Sequence, residues 1–283
     1  MDEIVITNKD GESITLGNQA PYFLETIDGI GDVNVNIESQ KAPKQDGSTY
    51  LGNVLDNRAI SIEGMIVTKG DAAAVLAARR LMQRVLNPKL DAVTITYHRG
   101  SQVKEIVGVA ETTPVFPGGS GSKGFYYQKF LLHLICHEPF WLDVYTESRE
   151  MSYLMGGIGF KLTLPTVFSY RGFRRKAIND GDVPTPVEIE FKGPATNPTI
   201  NNLTTGEFIT VNRELAEEDV LTIGTAFGQK YVKINGQNAF HYINLNSVFW
   251  QLLPGENALS YTSNNDSIKT RVTVKWKNSY VGL

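Results

Sequence analysis

Short stretches in which apolar and polar residues alternate dominate the sequence. Residues 33–37 alternate over five positions, and 58–67 does the same with Ile60 and Ile62 on one side. Successive side chains of a strand point to opposite faces, so this alternation predicts strands with one buried face. Similar β-type runs predict further strands in the first half at 4–7, 13–16, 92–98, 103–109 and 125–137.

One segment has the periodicity of a helix instead. Its apolar stripe follows the 3, 4, 3 spacing of a single helical face and consists of Val75, Ala78, Met82 and Val85. Asp71 precedes the stripe and can cap the first turn, while Asn87-Pro88 stops the pattern. We therefore predict a helix over about 71–86.

A polar stretch separates the two best alternating segments of the first half. Residues 38–57 contain lysines, an Asp46-Gly47 turn signal and Asn53, and they are too long for a tight turn. The stretch is also too polar for a core, although strong strands flank it. We interpret it as a long hairpin whose tip projects beyond the core.

The second half has a different pattern. Glu138-Pro139 interrupts the strands and Phe140-Trp141 follows, so we place a domain boundary after Trp141, giving domains 1–141 and 142–283. Beyond residue 163, short strands recur about every ten residues with Gly-containing turns between them. That spacing, without a helical segment, is typical of a β-sandwich.

Composition excludes several classes of function. The 283 residues include 27 Lys plus Arg and 30 Asp plus Glu, a net charge of −3, which argues against nucleic-acid binding and a polybasic membrane surface. A single cysteine, Cys136, excludes an intramolecular disulfide and a Cys-only zinc site. No apolar run approaches the roughly 20 residues of a membrane span. The acidic start does not resemble a signal peptide, so we expect synthesis in a cytoplasm without export by that route.

Two motifs suggest chemistry but have simpler explanations. His133 and His137 flank Cys136, yet on a strand positions four apart are separated by roughly 13 Å, too far for one metal ion. Residues 119–124 match G-x-G-x-x-G, but an aromatic β-type run follows where a dinucleotide site needs a helix. We interpret these as a half-buried strand and a flexible hairpin loop. No convergent acid, base and nucleophile set is present, so we predict neither an enzyme nor a cofactor or metal site.

Two groups of residues suit binding rather than catalysis. The basic cluster of Arg171, Arg174 and Arg175 suits a phosphate or the acidic face of a partner, the simpler alternative being a solvated loop edge. Aromatic residues of the second half, among them Tyr242 and Trp250, suit stacking on sugar rings if exposed, although alternation assigns most of them to the core.

The order of these motifs resembles that of the distal tail proteins of siphophages and prophages, the hub subunits of the tail tip. The resemblance is carried in the first half by Asp46-Gly-Ser-Thr-Tyr-Leu-Gly52, Asn57-Arg58, the helix after Asp71 and Cys136-His-Glu-Pro-Phe-Trp141. In the second half Asn197-Pro-Thr-Ile-Asn-Asn202 and Leu253-Pro-Gly-Glu-Asn257 continue it. Residues 153–186 match less well.

The resemblance implies a mainly β fold. It implies an N-terminal β-sandwich-like domain with one helix and an extended belt hairpin, followed by a C-terminal galectin-like sandwich similar to carbohydrate-binding modules. It further implies a homohexameric ring in which the belt wraps around the neighbouring subunit. The belt residues that it points to are Lys41, Lys44, Asp46, Gly47, Tyr50, Leu51, Asn53 and Arg58.

Two hypotheses of function follow. The first is a structural hub of the virion tail tip, made in the bacterial host, whose partners are the tail tube, tape-measure, tail-tip and receptor-binding proteins. The alternative is a carbohydrate-binding module or adhesion protein that recognises host cell-wall glycans. Neither requires nucleic acid, membrane insertion or a cofactor.

Overall fold

The chain divides into two compact units joined at residues 144–145 and 279–280. The computed structural model describes residues 2–69, 72–152, 174–265 and 269–283. The first unit runs to Val144 and takes in Tyr280–Leu283, and the second unit is Tyr145–Ser279. Within the described residues the chain is mostly strand with one α-helix, which confirms the predicted mainly β class.

The first half contributes ten strands and the helix. The helix α1 spans Ala72–Val85. The strands are β1 Asp2–Thr7, β2 Ser13–Leu16, β3 Tyr22–Asp28, β4 Val35–Gln40, β5 Thr49–Leu55, β6 Arg58–Val67, β7 Val93–Arg99, β8 Gln102–Ala110, β9 Tyr127–Cys136 and β10 Trp141–Asp143. A 3₁₀ turn, Pro88–Leu90, follows the helix.

The remaining strands are short. They are β11 Glu147–Ser152, β12 Arg174–Asn179, β13 Val187–Lys192, β14 Ala195–Thr196, β15 Thr199–Asn202, β16 Glu207–Thr210, β17 Glu214–Leu215, β18 Val220–Gly224, β19 Tyr231–Ile234, β20 Gln237–Asn238, β21 Gly255–Thr262, β22 Arg271–Trp276 and β23 Ser279–Tyr280. A second 3₁₀ turn, Phe240–Tyr242, follows β20.

The main sheet of the first unit closes on itself. Its strands lie in the order β2-β1-β7-β8-β9-β6-β3, and each neighbouring pair is antiparallel. The two outer strands are then joined, because Gly17 N–H donates to the Tyr22 carbonyl at 3.1 Å and Leu24 N–H donates to the Gly17 carbonyl at 2.9 Å. These two hydrogen bonds join the end of β2 to the start of β3.

The core of this unit forms where the helix covers the sheet. Alternate residues of β6, including Ile60 and Ile62, are buried, as the alternation predicts. The predicted helical stripe is buried as well, which confirms the helix, while Asp71, the predicted N-cap, lies outside the described residues. Tyr22 ties β3 to the helix, because its hydroxyl donates to the Ala78 carbonyl at 2.9 Å. Burial raises the pKa of Tyr22 to about 12, so this hydroxyl keeps its proton.

The second unit is a sandwich of two sheets. One has the strand order β11-β22-β13-β18-β19-β20 and the other β12-β21-β15-β16. Phe191 and Tyr261, one from each sheet, meet edge to face with ring centroids 6.1 Å apart in the core between them. The outer face of the six-stranded sheet is charged, since Lys275 pairs there with Glu188 and Glu190 at 3.6 and 3.2 Å.

The chain returns to the first unit at its end, which the sequence pattern does not predict. Tyr280 donates to Asp143 at 3.3 Å, and Lys104 forms a salt bridge with the same carboxylate. The Lys104 ammonium also lies 3.6 Å from the centre of the Tyr280 ring. Leu283 packs against the apolar core of the first unit. The last four residues are therefore part of the first unit's packing.

Gly64 offers a test of the packing between β3, β6 and β9. A Cβ on Gly64 would lie 2.3 Å from the Phe23 carbonyl oxygen and 2.5 Å from Phe130 Cζ, so Gly64→Ala forces the backbone or the ring to move. We expect a loss of about 1–3 kcal/mol in the stability of the first unit, measured by scanning calorimetry. Gly121→Ala is the control, because nothing lies within 4 Å of its Cβ position. Equal unfolding temperatures for the two variants would contradict this packing.

Candidate assembly surface

The most exposed regular element of the first unit is a two-stranded hairpin, β4–β5, which we call the arm (35–55). Its strands pair with each other and with no other strand of the described chain, in a register that sets Val35 opposite Leu55 and Gln40 opposite Thr49. A bulge interrupts the register next to Glu38. Asp56 N–H donates to the Asn34 carbonyl at 2.8 Å and closes the base of the arm.

The arm is apolar as well as exposed. Five large side chains on it are between 44 and 63% exposed, namely Val35, Ile37, Tyr50, Leu51 and Val54. The alternation of residues 33–37 predicts a buried face, and within this single chain that prediction is wrong. An isolated two-stranded hairpin is at best marginally stable in water. Both of its outer edges also carry backbone groups without strand partners, so the arm is suited to binding another chain.

The tip of the arm is polar. Residues 41–48 connect the two strands, and Lys41, Lys44, Asp46 and Gly47 are all exposed there. Lys44 and Gly47 have φ of 65° and 75°, and the Gln45 side chain accepts from Ala42 N–H at 2.9 Å. The predicted arm residues Tyr50, Leu51 and Asn53 lie on β5. All of the predicted belt residues except Arg58 thus lie on the arm.

Arg58 is the exception and a correction. It is fully buried at the start of β6 and has no place on the exposed arm. Its guanidinium donates to five main-chain carbonyls, those of Gly29, Ile30, Asp32, Pro139 and Val281. Three of these belong to the loop that leads into β4. Arg58 therefore fixes the root of the arm, together with the end of the chain, from inside the subunit.

Two further side chains complete this buried centre. Trp141 is fully buried and donates from its indole nitrogen to the Ile30 carbonyl at 3.0 Å. Cys136 is also buried, and burial raises the pKa of its thiol to about 11 although the nearby Arg58 charge opposes the shift. At pH 8 only about one such thiol in a thousand is ionised, so Cys136 is an inert core residue.

Replacing Arg58 tests this arrangement. Arg58→Met leaves five carbonyls without their donor, and we expect the first unit to lose about 3–5 kcal/mol of stability. Cys136 should then react faster with a thiol reagent under native conditions, since loosening of this centre exposes it. In the wild-type protein we expect Cys136 to react only on unfolding.

Arg84→Met is the matched control for this experiment. Arg84 pairs with Glu12 at 2.8 Å on the surface, where both side chains are at least a third exposed. Loss of such a pair costs about 1 kcal/mol or less. Rapid labelling of Cys136 in the native wild-type protein, or equal stability of the two variants, would contradict the role given to Arg58.

The predicted basic cluster is only partly within the described chain. Arg171 lies outside the described residues. Arg174 and Arg175 lie on β12, an outer strand of the four-stranded sheet, where Arg174 is exposed. Arg175 donates to the Glu150 carbonyl at 3.4 Å. Of this cluster, the Arg174 side chain is therefore exposed, whereas Arg175 forms a hydrogen bond to the backbone.

Neither of the two aromatic residues predicted to stack on sugar is fully exposed. Trp250 is 2% exposed within the core of the second unit, so its prediction as a contact residue is wrong. Tyr242 is half-buried. The His241 ring lies 3.9 Å from the Tyr242 ring centre and the Arg213 guanidinium lies 5.0 Å from it. A sugar that stacks needs a free ring face, and these neighbours occupy the Tyr242 ring.

The two motifs that suggested chemistry are structural. His133 lies on β9, where its Nδ1 is 3.3 Å from the Ser61 hydroxyl, and His137 follows the end of the same strand. Residues 119–124 lead into β9 and not into a helix, and Tyr127 donates to the Ser120 carbonyl of this loop. Over the described ranges, no cluster of His, Cys, Asp and Glu has the grouping to hold a metal ion. None of the described helices is both long and apolar enough to cross a bilayer.

Two protein-family models match the chain in succession. The model described as the phage tail protein RIFT-related domain matches residues 9–136. The model described as the siphovirus-type tail component, C-terminal domain, matches residues 180–280. Together they account for most of the chain, and each falls largely within one of the two units.

The solved structure of Dit (gp 19.1) from phage SPP1 resembles the whole chain. The TM-score is 0.70 at 14% sequence identity, and the match covers 98% of both chains. The chain belongs to the siphovirus distal tail protein family. A chain of the activated baseplate of phage P2, solved with Ca, matches with a TM-score of 0.59 and 10% identity over all of both chains. No curated protein sequence matches the chain significantly.

Family membership gives the general role of the chain. A distal tail protein is a structural component of the virion tail that assembles with other tail proteins. At 10–14% identity, however, the solved structures share the fold with this chain but few of its side chains. The contacts made by this family member must therefore be read from its own residues.

Proposed function

We propose that this distal tail protein forms a homohexameric ring, the hub that joins the tail tube to the tail tip and the receptor-binding proteins. In this assembly the arm of each subunit binds the first unit of its neighbour as a belt. The tape-measure protein is a further partner at the ring. The protein is made in the cytoplasm of the bacterial host and acts by assembly, without catalysis.

The observation that carries the proposal is the arm. Its five exposed apolar side chains and its two outer strand edges have no partner within the described subunit. A neighbouring chain would bury those side chains and supply hydrogen-bonding groups to the edges, as in β-strand addition. Because the arm and its receiving surface are different patches, the contact is heterologous, and six such contacts close a ring.

The similar solved structures support a hub. The SPP1 protein is described as a paradigm of the hub adsorption apparatus in phages that infect Gram-positive bacteria. The P2 chain was solved within a baseplate. In our proposal the second unit serves as the docking platform for tail-tip and receptor-binding proteins. Glycan recognition is not favoured, because Trp250 is buried and Tyr242 is half-buried with His241 and Arg213 against its ring.

Deletion of the arm tests the ring. Six chains of 31.3 kDa give a ring of about 190 kDa, which light scattering over a concentration series and negative-stain images would detect. Removing 41–53 eliminates the tip and most of β5, and we expect a folded monomer. A deletion variant that still forms rings would contradict the belt.

Point variants separate loss of contact from misfolding. Leu51→Ser on β5 removes an apolar side chain that is 60% exposed, and we expect weaker ring formation with unchanged stability. The matched control is Leu76→Ser on α1, where the side chain is 62% exposed. The belt predicts that only the first variant shifts the ring–monomer equilibrium, and equal shifts would argue against it.

A further inference from the structure

The second unit exposes a second apolar surface, distinct from the arm. It lies between residues 227 and 249 and consists of Phe227, Phe240, Leu245, Val248 and Phe249, which we call the loop patch. Phe227 and Leu245 are 87 and 97% exposed. Phe249 contacts both Phe240 and Lys230, while Phe227 lies three positions before Lys230 and Leu245 four positions before Phe249. Exposed apolar side chains that cluster on a soluble protein mark interaction sites.

Local structure holds the loop patch in place. Phe240 stacks on Phe249 with ring centroids 5.7 Å apart and planes 12° apart. The turn that carries Phe227 is closed by Gln229 N–H, which donates to the Ala226 carbonyl at 3.1 Å. The turn that carries Leu245 is closed by Ser247 N–H, which donates to the Asn244 carbonyl at 2.9 Å. Two ordered turns thus present side chains that stabilise nothing within their own unit.

The segment that carries the loop patch contains basic and no acidic residues. Residues 220–255 contain no Asp or Glu, whereas they contain Lys230, Lys233 and His241. The Lys230 ammonium lies 5.4 Å from the centre of the Phe249 ring, at the edge of the patch. Lys230 has no salt bridge to any described residue. In contrast, four other lysines of the second unit each pair with a glutamate, namely Lys176, Lys192, Lys269 and Lys275.

The geometry favours a protein over a sugar as the occupant. One face of the Phe249 ring is covered by Phe240, and Lys230 lies over the same ring. The most exposed members, Phe227 and Leu245, stand on separate turns and form no flat platform. Protruding apolar side chains beside a lone cation instead suit a surface that offers both a pocket and a carboxylate.

We propose that the loop patch is a docking site for an acidic protein surface of another tail component, which receives Phe227 and Leu245 and pairs a carboxylate with Lys230. This inference rests on the proposed function for the class of partner. The inference goes beyond the proposed function because it names the residues and the charge of the contact. Because the patch lies in the second unit, it leaves the arm free for the ring.

The test uses the full chain and the purified tail-tip and receptor-binding proteins of the same phage, titrated one at a time. We expect one of them to bind the wild-type chain, more weakly as salt is raised. Phe227→Ser with Leu245→Ser, and Lys230→Glu alone, should each weaken this binding about tenfold or more. Tyr145→Ser is the matched control, because Tyr145 is an aromatic of the second unit that is 82% exposed.

Each outcome bears on the proposal. Loss of binding in the patch variants and not in the control supports it. Unchanged binding in the patch variants, or no binding of any of these proteins to the wild-type chain, overturns it. Saturable binding of purified host cell-wall polysaccharide that the same variants abolish also overturns it, in favour of a glycan site. Light scattering of the variants separates the two proposals, since the ring depends on the arm and should persist in all of them.

Discussion

The buried guanidinium of Arg58 holds together the parts of the first unit from which the arm projects. A charge taken out of water must be compensated, and here the compensation comes from five main-chain carbonyls. These carbonyls come from three separate stretches of chain: the root of the arm, the segment before Trp141 and the end of the chain at Val281. Burial lowers the pKa of Arg58, yet from a value so high that the group stays charged. One side chain thereby fixes where the arm leaves the subunit.

A rigidly held root lowers the entropy that the exposed arm would lose on binding another chain. A flexible hairpin would lose conformational entropy on binding a neighbour, whereas an arm that starts from a rigid base loses less. The main sheet packs its core against the helix, whereas the apolar side chains of the arm remain exposed. The loop patch has the same character on the second unit. In our proposals the protein binds its own copies through the first unit and other tail components through the second.

The sequence predicts most of the fold because its strongest signals are local. The alternation of β6 and the 3, 4, 3 stripe of α1 each follow from burial of one face, and both are confirmed. The alternation of 33–37 is just as regular, yet its face is exposed. Periodicity indicates that one face of a strand is apolar. It does not indicate whether the same subunit or another chain buries that face. The sequence therefore predicts a projecting hairpin, while the exposure of its apolar residues Val35 and Ile37 appears only in the structure.

Residues whose role depends on distant chain could not be predicted in this way. Arg58 follows a polar stretch, so its sequence neighbours suggest a surface position, while its acceptors lie up to 223 positions away. Trp250 lies outside any strand, between the half-buried Phe249 and Gln251, and is itself buried. The return of Tyr280–Leu283 to the first unit has no local signal either. The sequence does not single out Phe227 and Leu245, because an isolated apolar residue in a turn has no periodic pattern.

Hydrogen exchange of the arm amides, measured on dilute and on assembled protein, tests the central claim most directly. The account predicts that amides of β4 and β5 exchange rapidly in the dilute monomer and become protected when the ring forms. Amides of the six-stranded sheet in the second unit should exchange equally in both states. Rings in which the arm exchanges as rapidly as in the monomer would contradict the claim that the arm joins one subunit to the next.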